Sequence, residues 1–416
     1  MNKSLLKPKT IVFIETNFSG LFAIEYCRHH HYKTVLITDS YERFKKWFPE
    51  STLCMLDSVD QIISVADSSD VSEVLGVIKN QLVDVDAVIT FAEIRTKTAA
   101  IVCRELGLKG SNVTAIETAQ DKYRFRQVLA DKGVESIGCV KLEQTELDSL
   151  DKMNINFPCF IKPLQGHSSI GATVCQNVDD ILQVMHLLEK TSEDCISSSA
   201  VIEDYLVGEL VSVEILTTSA GVHQIVGISD RDIVNQSVET GASFPLQHRH
   251  QAAIERKACA ALDAIGYDFG ASHVELIMTE KGPYLVEVNT RVGGSGHSVM
   301  LDLATSRSIV GDCVELNLGQ LDLRRKLYHH VQGSAWKCFV HPSGGFIKQL
   351  PSLDSIKENV GVVEVWFHHD VGDKVGELNS NFNWIAQVMC TGVDQIDAKH
   401  NANEAVDFIA ANTVIA

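Results

Sequence analysis

"GASHVELIMTEKGPYLVEVNTRVGGSGH", residues 270–297, decides how this chain is read. "SHVELIM" and "YLVEVNTR" both alternate as half-buried strands, and "TEKGP" between them is turn chemistry. With the turn centred on Lys281, Glu275 faces Glu287 and His273 faces Asn289. The four side chains then share one face of the hairpin, with Arg291 one step further along. Two carboxylates directly opposite one another destabilise a sheet. A divalent cation offsets that repulsion, and Glu275, Glu287 and Asn289 are hard oxygen ligands suited to Mg²⁺. The plain alternative is a solvated acidic face that tolerates the repulsion.

Upstream, "FPCFIKPLQGHSSIGATVC" (157–175) places Lys162 in a short apolar strand that enters a Gly/Ser loop with Gly166, Ser168, Ser169 and Gly171. Such a loop exposes backbone N–H groups that cradle phosphate oxygens, and a lysine beside it adds a compact positive charge. The G-x-x-x-x-G spacing is half of a Walker A motif. Ala172–Thr173 stand where Lys–Ser/Thr would follow, and the next segment reads as strand, so this is no P-loop NTPase. A simple hairpin turn competes with the phosphate loop here; the entering lysine favours phosphate. "SAVIEDYLVGELVSVEIL" (199–216) offers a backbone hinge for an adenine edge and Glu209 for ribose hydroxyls. Taken alone, its acids are ordinary surface residues.

The chain has 416 residues, 45% hydrophobic and 22% charged, enough for two or three domains of about 100–200 residues each. Its net charge of −18 argues against nucleic acid, whose binding depends on phosphate neutralisation. No apolar run reaches the roughly 18 residues of a membrane span, and "TIVFIET" is too short for a signal-peptide core. The eleven cysteines lie scattered in apolar stretches without metal spacing, as expected for reduced thiols in a cytoplasmic protein. From residue 1 to about 115, "TIVFIET", "KTVLITD" and "VDAVITF" read as buried parallel strands alternating with helices such as "VSEVLGVIKNQL" and "TKTAAIVCRELG". GxGxxG is missing, so no dinucleotide fold is expected, and His29, His30 and His31 read as a polar helix end. Residues 116–320 carry hairpins and helices. In 321–416, "GFIKQLPSL", "VGVVEVWFHHDVGDKV" and "NWIAQVMCTG" read as strands before a final helix, "NANEAVDFIAAN".

Taken in order, "DKYRFRQVL", "FIKP" with its loop, "VIEDYLVGELVSVE", "HVEL" and "LVEVNTRVGG" resemble the ATP-grasp superfamily of carboxylate–amine ligases, over about Lys122 to Ser298. The resemblance implies an α/β and α+β multidomain chain: a Rossmann-like pre-ATP-grasp domain at 1–115, an ATP-grasp fold at 116–320, and a C-terminal α+β section at 321–416. It implies ATP with Mg²⁺ (or Mn²⁺). Lys122 and Lys162 would contact the nucleotide phosphates, with Gly166, Ser168 and Ser169 in the loop that closes over them. Glu203 and Leu206 would lie at the adenine and Glu209 at the ribose. Glu275, Glu287 and Asn289 would hold the metal.

Arg291 would face the reacting carboxylate, where a planar guanidinium suits carboxylate and phosphoryl oxygens. Gly293 and Gly294 could add backbone donors, the simple strand exit being the alternative. The hairpin looks most like that of bacterial L-amino-acid (dipeptide) ligases. "VETGASFP" (238–245), with Arg231 nearby, is similar to their amino-acid-facing segment, and His273 falls on the substrate side. The expected reaction activates a carboxylate as an acyl phosphate and passes it to an amine, releasing ADP and phosphate. A biotin-carboxylase-like reaction, another acid–nucleophile ligation and a non-catalytic nucleotide-binding protein are the alternatives. Small-molecule substrates and a homodimer are family-based expectations.

Overall fold

The computed structural model describes residues 7–191, 196–321 and 327–416. Four parallel strands open the chain, in the order Gln61–Ser64, Lys33–Thr38, Thr10–Ile14, Ala87–Ile89. Thr10–Ile14 is buried along its whole length, because helices cover both faces. Ile11 and Phe13 pack towards the helix Phe18–His29, while Val12 and Ile14 pack towards Val71–Gln81 and Thr96–Leu106. The triple histidine lies at a helix end as expected, with His29 paired to Glu25 at 3.1 Å.

Two antiparallel sheets follow. The smaller runs Cys139–Leu142, Ala200–Asp204, Cys159–Pro163, Thr173–Cys175, and the helix Val178–Lys190 covers its apolar face. The larger runs Val222–Asp230, Glu209–Ser219, Gly270–Thr279, Gly282–Asn289. Its alternation separates two roles. Val211, Val213, Ile215, Val274 and Val288 face a core shared with the helices Lys122–Asp131 and Gln251–Ile265. Ser212, Glu214, His273, Glu275, Glu287 and Asn289 occupy the alternate positions of the same strands, the face that carries the site.

A five-stranded sheet, Asp232–Val234, Val238–Phe244, Gly333–Val340, Trp384–Gly392, Val362–Phe367, comes next, and a small three-stranded one, Lys374–Val375, Gly345–Gln349, Val414–Ile415, lies in the C-terminal section. The five-stranded sheet draws strands from both sides of residue 320, so the central and C-terminal sections share hydrogen bonds. The helices His297–Thr305 and Ile309–Asn317 pack back onto the N-terminal region through Met300, Leu301, Ile309 and Val310. The last helix begins at Gln395, earlier than its apolar pattern indicates, because Asp394 caps it. "GFIKQLPSL" is strand only to Gln349; Ser352 then caps a short helix, Leu353–Lys357. Among the described residues no helix is long and apolar enough to cross a membrane.

Candidate active site

The hairpin has the expected pairing where it matters: Glu275 opposes Glu287 and His273 opposes Asn289. Its tip differs from a turn centred on Lys281. Thr279 pairs with Gly282 around a two-residue turn, and that register continues to Leu276 opposite Leu285. A β-bulge then takes up Val286 and shifts the register by one residue before Glu275. Without it, the tip register would set Glu287 opposite Val274, on the core face. Gly282–Asn289 is the edge strand of its sheet, and charged side chains take backbone groups at the bulge. Leu285 N donates to Glu135 (3.0 Å), and Val286 O accepts from Lys162 Nζ at 3.2 Å and Arg126 Nη2 at 3.4 Å.

Lys162 is only 4% exposed. Its Nζ sits 3.0 Å from Glu203, which Arg126 also grips at 2.7 and 3.1 Å. Burial lowers the Lys162 pKa, with Glu203 opposing the shift. Burial would raise Glu203, but Arg126 and Lys162 outweigh it and hold that carboxyl at about 2. The Glu203 side chain, expected at the adenine, is therefore committed to two cations, and its backbone pairs with Cys139 and Phe160. Strand pairing ends at Asp204, so the open hinge is Tyr205–Leu206, followed by the exposed Glu209. Lys122 Nζ reaches Gly166 O at 3.4 Å and Glu287 at 3.9 Å. Ser168 and Ser169 both have positive φ (56° and 61°), and Ser169 Oγ donates to Ser237 O at 2.8 Å. The Gly/Ser loop is thus a shaped turn tied to the start of the strand Val238–Phe244.

At the far end, Arg291 Nε lies 2.6 Å from Glu93, and its Nη1 donates to Val292 O at 2.9 Å. Arg231 is buried. It contacts Glu239 at 2.6 Å, Glu275 at 3.2 Å and His273 Nε2 at 2.7 Å. His273 bonds through Nδ1 to Glu214, which also accepts from Gly293 N at 3.3 Å. Burial lowers the His273 pKa, but Glu214 and Glu275 together bring it up to about 9. Burial penalises the Glu275 charge, yet Arg231 and His273 hold its carboxyl well below the usual range. His297 joins Glu214 and His273, with candidate ligand atoms all within 4.8 Å. Gly293 has no room for a side chain: a Cβ there would lie 2.9 Å from Glu214, His273 and His297. Gly294 is open, with Arg291 Nη1 the nearest atom at 3.8 Å.

All the expected site residues except Gly293 line a single cleft of about 1210 Å³, to which all three regions contribute. Sequence reasoning missed Glu93, Arg126, Glu135 and the role of Glu214. Two had local signals. Glu214 continues the polar alternation of "LVSVEIL", and Glu93 follows the carboxyl end of a parallel strand, where open α/β sheets place ligands. For a divalent cation the donor set fits: two opposed carboxylates and an amide, all oxygen donors, with Asn289 Nδ2 already turned to Glu287 at 3.0 Å.

Residues 155–299 match the ATP-grasp domain, and residues 338–414 match L-amino acid ligase C-terminal domain 2. The fold and these matches make the chain similar to the ATP-grasp carboxylate–amine ligases, ATP-dependent enzymes that form amide bonds. Within that class, the C-terminal match is to the L-amino acid ligases. Over 99% of both chains, the fold superposes on the L-amino acid ligase from Bacillus licheniformis, with a TM-score of 0.81 at 17% identity. A D-alanine–D-alanine ligase of Fusobacterium nucleatum is 28% identical over 49% of this chain and 68% of its own length. Dapdiamide A synthase of Enterobacter agglomerans is 23% identical over 64% of this chain and 66% of its own length.

Proposed function

We propose that this chain is a cytoplasmic enzyme joining the carboxylate of one amino acid to the amine of another, with Mg²⁺ or Mn²⁺ and with release of ADP and phosphate. The observation that carries the reading is Glu275 opposite Glu287 on the cleft face of the hairpin, with Lys162 anchored at the bulge beside them.

Lys122 and Lys162 would neutralise and orient the triphosphate, and the 165–171 loop would cover it. Leu206 at the open hinge would meet the adenine, and Glu209 the ribose. Glu275, Glu287 and Asn289 would hold the divalent cation, which supplies charge neutralisation at the phosphates. The substrate carboxylate oxygen attacks the γ-phosphorus, the bond to the β-phosphate bridge breaks, and an acyl phosphate and ADP result. Such a transfer depends on positioning and electrostatics more than on covalent help. The amine then attacks the acyl carbon and phosphate leaves. Arg291 would stabilise the tetrahedral oxyanion, with Gly294 beside it. Arg231 and His273 shape the amino-acid end. ADP release assayed against a panel of amino-acid pairs, with mass spectrometry of the products, tests the reading. Dipeptide formation is expected; ATP cleavage with no pair would reject it.

A further inference from the structure

Arg126 and Glu135 pair with other groups than the expected metal ligands Glu275, Glu287 and Asn289, yet both are buried and charged, 6% and 9% exposed. A buried charge is retained at a cost unless it is paired. Arg126 meets Glu135 at 3.0 Å and Glu203 at 2.7 Å, and Glu203 meets Lys162 at 3.0 Å. Two cations and two carboxylates thus alternate along one chain of contacts.

That chain ends on the bulge. Glu135 accepts from Leu285 N, while Arg126 and Lys162 share Val286 O. Val286 is the residue that the one-residue shift leaves without a partner, and Leu285 is its neighbour on the edge strand of the sheet. The same shift returns Glu287 to the face of Glu275. Arg126 also lies one turn after Lys122 on one helix, so the helix offering a lysine to the cleft is pinned from behind by the same contacts.

We infer that Arg126 and Glu135 are positioning residues that lock the bulge, setting the metal-binding carboxylates and the phosphate lysine in register with each other. The inference rests on the nucleotide and metal reading above. Residues that orient metal ligands in this way are worth about 10–100-fold in metal affinity.

The test is Mn²⁺ binding in the presence of saturating ADP, read by electron paramagnetic resonance, for the wild type, Glu135→Gln and Arg126→Lys. Melting temperature and the KM for each amino acid are measured alongside. The expected result is a 10-fold or greater loss of Mn²⁺ affinity and a raised KM for ATP, with amino-acid KM values unchanged and the folded fraction intact. Unchanged Mn²⁺ affinity in a folded variant overturns the inference. So does a loss that only tracks the unfolded fraction. If Arg126→Lys does not fold, Glu135→Gln, which keeps size and an acceptor for Leu285 N, decides alone. Failure of the wild type itself to bind Mn²⁺ with ADP would instead reject the reading of the site.

Discussion

Arg291 and Glu93 meet at 2.6 Å, tying the exit of the hairpin to the end of the N-terminal parallel sheet. The pair is partly buried and crosses between two regions far apart in sequence. A small misplacement of a reacting group costs about 100-fold in rate. Glu93→Gln is therefore expected to lower turnover about 10–100-fold while the protein stays folded, measured by ADP release and thermal melting. A variant with wild-type turnover would show that Arg291 holds its place without Glu93.

Lys162 is expected to act on the nucleotide while leaving Glu203 paired to Arg126. Lys162→Met should reduce ATP cleavage about 100-fold or more, on the scale of removing one preorganised charge donor. Its melting temperature should fall only modestly, because Arg126 still neutralises Glu203. Steady-state kinetics with varied ATP checks this.

The Gly293 and Gly294 neighbours differ sharply in their space. Gly293→Ala drives a Cβ to 2.9 Å from Glu214, His273 and His297, and overpacking of this kind costs about 1–3 kcal/mol. Gly294→Ala meets nothing closer than Arg291 at 3.8 Å and should change stability by less than about 0.5 kcal/mol. Parallel denaturant unfolding of the two variants measures the contrast.

Acid stability has a stated sign. Glu203 is held at about 2 in the fold, below its ordinary 4.5. The stabilisation is fully present above about pH 4.5 and is lost as the pH falls towards 2, roughly 3 kcal/mol in all. Glu203→Gln should show a flatter stability profile between those limits than the wild type, as read by unfolding at a series of pH values.

Much of this was legible along the chain because it is local. Alternation placed Glu275, Glu287, His273 and Asn289 on one face, and the apolar runs of the first strands announced a parallel sheet buried on both sides. The hairpin tip was not legible: a turn on Lys281 and a two-residue turn plus a bulge at Val286 give the same pairing at Glu275. The difference lies in Glu135, about 150 residues away from the backbone group it satisfies. Glu203 sits in a hinge-like sequence, but Arg126 and Lys162, on other elements, claim its side chain. The strand Val238–Phe244 joins Gly333–Val340 across residue 320 for the same reason: long-range pairing leaves little local trace.

The central claim is that the opposed carboxylates of the hairpin serve a metal–nucleotide reaction. Glu287→Gln keeps the shape and the contact with Asn289 but removes one charge. Its rate of ADP formation at saturating ATP and divalent cation, beside the wild type and with the same amino-acid pair, is the most direct measurement. The account predicts a loss of at least about 100-fold in a folded protein. Unchanged turnover would contradict it.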